Sequence, residues 1–198
     1  MNINILFFDG FETLDAFGAV EVFGKVEEFK LRYISMEGGV IESAQGVQIH
    51  TQSAKEADLT AALLIPGGQG TRVLVNDELF IFRLKELALK SRYCLSVCTG
   101  AALLAKTGLL DAKKATTNKK AFEWVVSQNQ NVHWLRKARW VVEGKFYTSS
   151  GVSAGIDMSL GFVCDILGRE RAESIARHME YIWSDDKNND PFATTYKI

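Results

Sequence analysis

A thiol that ends a β-patterned run and opens a helical one is placed to act as a nucleophile. Tyr93-Cys94-Leu95-Ser96-Val97-Cys98-Thr99-Gly100-Ala101-Ala102 contains such a thiol, Cys98, with the small residues Ser96 two positions before it and Gly100 two after. That is the steric pattern of a nucleophile elbow, a strained strand-to-helix turn whose small neighbours let the chains pass. The turn would thrust the side chain out at the carboxyl end of a sheet, where open α/β folds bind ligands. It would also seat the sulfur at a helix N-terminus, whose dipole and free N–H groups favour thiolate over thiol. The expectation is therefore that Cys98 is the most reactive of the three thiols, with a pKa below the free value of about 8.5. The plain alternative is a small buried hydrophobe, the usual state of free Cys. Cys94, inside the strand pattern, and Cys164, inside Leu160-Gly161-Phe162-Val163-Cys164, read as inert core of that kind.

Two other segments could serve the thiol. Ile65-Pro66-Gly67-Gly68-Gln69-Gly70 follows an apolar run, and glycines there let backbone N–H groups approach a ligand as an anion cradle or oxyanion hole. No Gly-Lys-Ser/Thr follows, so it is not a phosphate loop, and a simple turn explains it equally well. In Thr13-Leu14-Asp15-Ala16-Phe17-Gly18-Ala19-Val20-Glu21, Asp15 falls just beyond the first apolar run. Its spacing alone favours a helix cap, the commoner task of Asp at such a place. His50, His133 and His178 lie beside none of these motifs and read as structural or solvated, so a Cys–His pair is not visible. Three cysteines make neither a disulfide framework nor, without C-x-x-C or Cys/His clustering, a zinc site.

The elements that must position these residues follow from periodicity. Ile3 to Phe8 is an apolar run stopped at Asp9-Gly10, the mark of a strand buried on both faces. Leu14 to Phe29 predicts a helix, Leu31 to Met36 a strand, and Val40–Glu42 with Val47–Thr51 a hairpin. Leu59 to Ile65 predicts a third buried strand, Glu78 to Lys90 a helix, and Tyr93 to Val97 a fourth strand. Helices are expected over Ala101–Leu110 and Thr117–Gln128, and a second hairpin over Trp140–Val142 and Lys145–Thr148. His133 falls in a short strand, and Gly155 to Ile182 reads as two helices around Leu167-Gly168. Strands alternating with helices imply βαβ crossovers and a doubly wound, mostly parallel sheet with helices on both faces.

With 198 residues the chain reads as one domain, 1–198, whose polar tail after Ser184 (about 184–198) looks dispensable. A net charge of −1 gives no footprint for nucleic acid or an anionic membrane, and both are set aside as partners. The first residues do not form a signal peptide and no apolar run reaches the length of a membrane span, so the cytoplasm is the expected compartment.

Together, Pro66-Gly67-Gly68-Gln69-Gly70-Thr71-Arg72, Val97-Cys98-Thr99-Gly100-Ala101 and Thr148-Ser149-Ser150-Gly151-Val152-Ser153-Ala154-Gly155-Ile156-Asp157 resemble the ThiJ/PfpI superfamily, from about Ile3 to about Tyr181. Leu14-Asp15 with Glu21-Val22-Phe23 narrows the resemblance to the branch holding isonitrile hydratases and the ligand-sensing halves of some AraC-type regulators. The resemblance implies a flavodoxin-like fold and a homodimer. It makes Cys98 the nucleophile and Asp15 the acidic partner that hydrogen-bonds it, replacing the cap reading. Thr99 and Gly68 match the backbone N–H donors near the thiol. Relatives often carry His after the Ala-Thr-Thr turn, where this chain has Asn118 in Ala115-Thr116-Thr117-Asn118-Lys119-Lys120. Asn118 cannot act as a base, which counts against protease or amidase chemistry and leaves hydration on Cys plus carboxylate less affected. The chain also ends without a helix-turn-helix segment, so a DNA-binding regulator is not expected.

The expected function is hydration of a small-molecule electrophile, an isonitrile giving an N-substituted formamide, with no metal or organic cofactor. Rivals on the same residues are glyoxalase or deglycase chemistry on 2-oxoaldehydes, a cysteine redox sensor, and a binding stress protein without turnover.

Overall fold

The first apolar run becomes β1 (Asn2–Leu6), at the interior of an eight-stranded sheet in the computed structural model, which describes residues 1–196. A strand covered on both faces has no solvent side, and Ile3, Ile5 and Leu6 are all fully buried. β2 (Lys30–Ser35) pairs with β1 in parallel on one side and β5 (Ala62–Ile65) on the other. β6 (Tyr93–Ser96) and β10 (Phe146–Ser149) extend the sheet beyond β5, also in parallel. Two antiparallel hairpins close its edges: β3 (Gly39–Glu42) with β4 (Gln48–Ser53), and β9 (Trp140–Glu143) with β10. The order is β3-β4-β2-β1-β5-β6-β10-β9, a mostly parallel sheet of flavodoxin-like α/β type.

That order contains a switch point. From β1 the chain steps outward through α1 (Thr13–Gly24) to β2, whereas from β5 it steps the opposite way through α3 (Glu78–Lys90) to β6. Right-handed crossovers in opposite directions put the two helices on opposite faces and open a crevice at the carboxyl ends of β1 and β5. The segment carrying Asp15, the Pro66–Gly70 loop and the Cys98 turn all leave the sheet there. α4 (Gly100–Lys106) follows the turn, and α6 (Ala154–Leu167) packs on α1. Phe162 of α6 binds that layer to the sheet, its ring 5.8 Å from Phe23, 5.2 Å from Tyr93 and 5.1 Å from Tyr147, all edge-on, the geometry that ring quadrupoles favour.

Several elements are shorter than the periodicity predicts, for local reasons. The strand expected from Leu59 starts at Ala62, because Asp58 Oδ1 accepts from the Thr60 N–H at 2.9 Å and turns the chain. The helix expected from Thr117 begins only at Phe122, forming α5 (Phe122–Gln128). There Asn118 Oδ1 accepts from the Ala121 N–H at 2.8 Å and holds the preceding residues in a capped turn. α1 stops at Gly24 rather than Phe29, and α4 at Lys106 rather than Leu110. His133 does lie in a strand, β8 (His133–Trp134), paired with β7 (Lys114–Ala115). α7 (Arg169–His178) completes the expected helix pair around Gly168.

The tail is not the loose appendage its composition suggests. Asp190 is buried, its carboxylate 3.7 Å from Arg139 Nη1 and 4.0 Å from Lys119 Nζ, both cations themselves buried. Its N–H donates to the Lys137 carbonyl at 2.7 Å, and the Arg139 N–H donates to the Lys187 carbonyl at 2.8 Å. A short α8 (Phe192–Thr195) buries Ala193. Acidic and amide residues in sequence look solvated, but two cations removed from water require counter-charge, and the tail brings it. Residues 197 and 198 lie outside the described residues. Asp190→Ala should cost about 2–4 kcal/mol, somewhat less than the ~3–5 kcal/mol of breaking a buried pair outright, because Arg139 keeps its ion pair with Asp157. Urea denaturation checks this, and a truncation after Ser184 with an unchanged midpoint would contradict it.

Candidate active site

Cys98 sits at φ 57°, in the left-handed region that a side-chain-bearing residue enters only under constraint, at about 1–3 kcal/mol. The constraint comes from both flanks. Its N–H donates to the Ser150 carbonyl at 3.1 Å, and its own carbonyl accepts the Thr117 hydroxyl at 2.7 Å. A Cβ on Gly100 would lie 2.7 Å from the Pro66 carbonyl oxygen and closer still to that of Ile65, which is why the elbow needs a small residue there. The backbone N–H groups of Thr99 and Val152 face the sulfur as donors.

Asp15 is not the cap of α1; Glu12 occupies that position and Asp15 lies in the first turn, fully buried. Its Oδ2 accepts the Gly67 N–H at 3.0 Å, Oδ1 accepts no conventional hydrogen bond, and the Cys98 thiol lies against the same carboxyl. Burial, above all, pushes the Asp15 pKa up to about 7, with the Gly67 and Cys98 hydrogen bonds opposing it. The thiol thus keeps its proton while the carboxyl beside it gains or loses one near pH 7, and their ionisations belong to the pair.

The expected low thiol pKa does not hold. Burial and then the charge of Asp15 push the Cys98 thiol well above its ordinary range, and the Thr99 and Val152 N–H groups do not offset them. Only 7% of Cys98 is exposed, so the helix N-terminus acts on a sulfur that has lost its water. Cys94 is fully buried, as expected; its thiol donates to the Ala88 carbonyl at 3.3 Å and is pushed up to about 12 by burial. Cys164 departs from its reading as core, being only half-buried.

A sequence model of the DJ-1/PfpI family matches residues 1–164. The chain belongs to the DJ-1/PfpI family. It is 27% identical over 194 residues to an isonitrile hydratase of Pseudomonas putida, covering 91% of this chain and 78% of that one. It is 25% identical over 187 residues to the HTH-type transcriptional regulator GbdR of Pseudomonas aeruginosa, covering 91% of this chain but 50% of that one. Among solved structures, a ThiJ/PfpI family protein from Pseudomonas syringae superposes with a TM-score of 0.78 at 26% identity, over 91% of this chain and 74% of that one. DJ-1beta of Drosophila melanogaster gives the same TM-score at 18% identity, over 92% and 98%. The resemblance carried by the three glycine-containing motifs is upheld.

Within this DJ-1/PfpI site the four expected residues converge, but one with a changed task. The Gly68 N–H is taken by the Thr99 hydroxyl at 3.0 Å, and the Gly68 carbonyl accepts the Thr71 hydroxyl at 2.7 Å. Gly68 is at φ 127°, and a Cβ there would strike the backbone of Gly10 and Glu12. It locks the loop rather than presenting a donor; Thr99 and Val152 are the donors at sulfur. Val152 has no motif of its own in the sequence, although its φ of 30° marks the same kind of constrained turn as Cys98. Asn118 presses its amide against Gly151, one residue before Val152, and so props that turn. The three histidines are all exposed. Among the described residues no three His, Cys, Asp or Glu side chains converge as metal ligands would.

The raised Asp15 pKa fixes the sign of a stability effect. The folded chain binds this proton more tightly than the unfolded one, so stability is full below about pH 3.8 and falls as pH rises through about 7. Asp15→Asn, which keeps an acceptor for Gly67, should therefore be more stable than wild type at pH 8, by on the order of 2–4 kcal/mol. The gap should close towards pH 4. Melting curves across that range test it, and a pH-independent difference would refute the buried-acid assignment.

Proposed function

We propose that the protein hydrates a small electrophilic carbon, with an isonitrile as substrate and an N-substituted formamide as product. The observation that carries the reading is the Asp15–Cys98 pair: a desolvated carboxyl able to hold a proton at neutral pH, against a thiol on a constrained turn. Likeness to a protein named isonitrile hydratase supports it.

Asp15 gives its proton to the terminal carbon of R–N≡C as the Cys98 sulfur attacks that carbon and forms the C–S bond. The proton of the thiol passes to the Asp15 carboxylate left behind, giving a thioimidate, R–N=CH–S–Cys98, with Asp15 protonated again. Water adds across the C=N bond, its oxygen to carbon and a proton to nitrogen. The C–S bond then breaks, the sulfur departs with a proton from the hydroxyl, and R–NH–CHO is released. Net consumption is one water, and the thiol is restored. The Thr99 and Val152 N–H groups stabilise negative charge on sulfur as it forms and as it leaves. A resting thiol suits this cycle, because the proton the carbon needs is already in the site.

A panel of isonitriles, 2-oxoaldehydes and peptides should show isonitrile turnover only. Cys98→Ala should abolish it, and Asp15→Asn should lower it by about 10²–10⁴-fold, the range of a general acid. kcat/KM should fall as pH rises through about 7, where Asp15 gives up its proton. Turnover of 2-oxoaldehydes instead would assign the same pair to glyoxalase-type chemistry. Full activity in folded Asp15→Asn would remove the acid from the mechanism.

A further inference from the structure

The loop after β5 runs into α2 (Thr71–Leu74), whose second residue, Arg72, the mechanism above does not use. Its guanidinium lies over the Trp124 ring of α5, the carbon 3.3 Å from the ring centroid. Both side chains are half-buried. The pair stands beside the active-site turn: the hydroxyl of Thr71, next to Arg72, lies 3.1 Å from that of Thr99, the residue after Cys98. Among the described residues, no carboxylate forms an ion pair with Arg72. Other arginines differ in this respect: Arg83 meets Glu37 and Arg136 meets Glu123.

A guanidinium stacked on an indole keeps its in-plane N–H donors free, and stacking has already removed much of the freedom that binding would otherwise cost. Partial burial without a counter-ion leaves it short of hydrogen bonds and charge. One fork of donors matches one carboxylate. A phosphate would want more, and the two glycine N–H groups of the loop are committed elsewhere: that of Gly67 to Asp15 and that of Gly68 to Thr99.

We propose that Arg72, held on Trp124, is the specificity-determining residue of this site and binds a carboxylate on the substrate, so that the preferred substrates are isonitriles bearing a carboxylate. The assignment rests on the hydratase reading for its reacting group, but not for the anion. An incoming carboxylate would meet, in Arg72, a cation that no side-chain carboxylate among the described residues already pairs with.

The test compares an ω-isocyanoalkanoate with its methyl ester on wild type, Arg72→Gln and Arg72→Lys. Wild type should favour the acid. Arg72→Gln should lower the acid-to-ester ratio of kcat/KM about 10–100-fold, chiefly through KM, as expected for one charge-assisted pair. Arg72→Lys, which keeps the charge but loses the fork, should fall between. An unchanged ratio in Arg72→Gln with a native circular dichroism spectrum would overturn the proposal. A second arm needs no turnover: calorimetric binding of N-formylglycine and its methyl ester to Cys98→Ala, with and without Arg72→Gln. Acid-selective binding that disappears with Arg72→Gln supports the carboxylate site even where no isonitrile is hydrated, in which case the hydratase reading alone fails. Isonitrile turnover without acid preference overturns the carboxylate site alone.

Discussion

A carboxyl group taken out of water and set against a thiol is costly to ionise, and much of the local structure exists to hold that pair. Asp15 reaches the site because α1 begins just beyond the carboxyl end of β1. Gly67 reaches it from the end of β5, and Cys98 from the end of β6. The three strand ends meet because the sheet reverses its winding between β1 and β5. The single N–H from Gly67 offsets part of the desolvation but not all, which is why Asp15 stays protonated up to about pH 7.

The left-handed turn at Cys98 is sustained from behind. The Ser150 carbonyl that accepts the Cys98 N–H belongs to a segment whose own N–H donates to the Arg139 carbonyl at 2.8 Å. The Arg139 side chain is fixed by Asp157, Nε to Oδ2 at 2.6 Å, and faces Asp190 of the tail. The Thr117 hydroxyl that holds the Cys98 carbonyl lies two residues from Lys119, which is anchored on the Ala138 carbonyl at 2.6 Å. A buried charge network thus backs the strained turn. Mispairing there would release the turn before it disturbed the sheet, since the strands carry their own backbone ladder.

How much of this is legible in the sequence depends on range. Apolar runs and hairpin glycines mark the strands, because burial on two faces and tight turns leave short-range signatures. The elbow is legible for the same reason: Gly100 answers to a close approach by the end of β5 within a few residues of Cys98. What cannot be read locally is each group's partner. Nothing in Asp185-Asp186-Lys187-Asn188-Asn189-Asp190 says that Arg139 and Lys119 await its last carboxylate. Asp15 looks like a cap because its proximity to Cys98 spans 83 positions of chain, and only the family resemblance bridges that distance. Gly68 looks like a donor because a glycine's conformational freedom is evident in sequence, whereas the commitment of its N–H to Thr99 is not.

The thiol pKa shows why local reasoning reaches the wrong sign. A helix N-terminus stabilises a charge by up to about 2 kcal/mol in favourable, partly buried geometry. Burying that charge shifts a pKa by as much as about 3–5 units, which outweighs the dipole, and an adjacent carboxylate pushes the same way. Desolvation and like charge therefore prevail at Cys98, so the site stores a proton rather than exposing a nucleophile. For a reaction that must protonate carbon as soon as sulfur bonds to it, that is the useful state. A free thiolate would attack readily and then have to collect its proton from bulk water, which a sulfur only 7% exposed would meet slowly. With Asp15 against the sulfur, one carboxyl both gives the carbon its proton and takes the thiol's, and the N–H groups of Thr99 and Val152 need to hold negative charge only in the interval between.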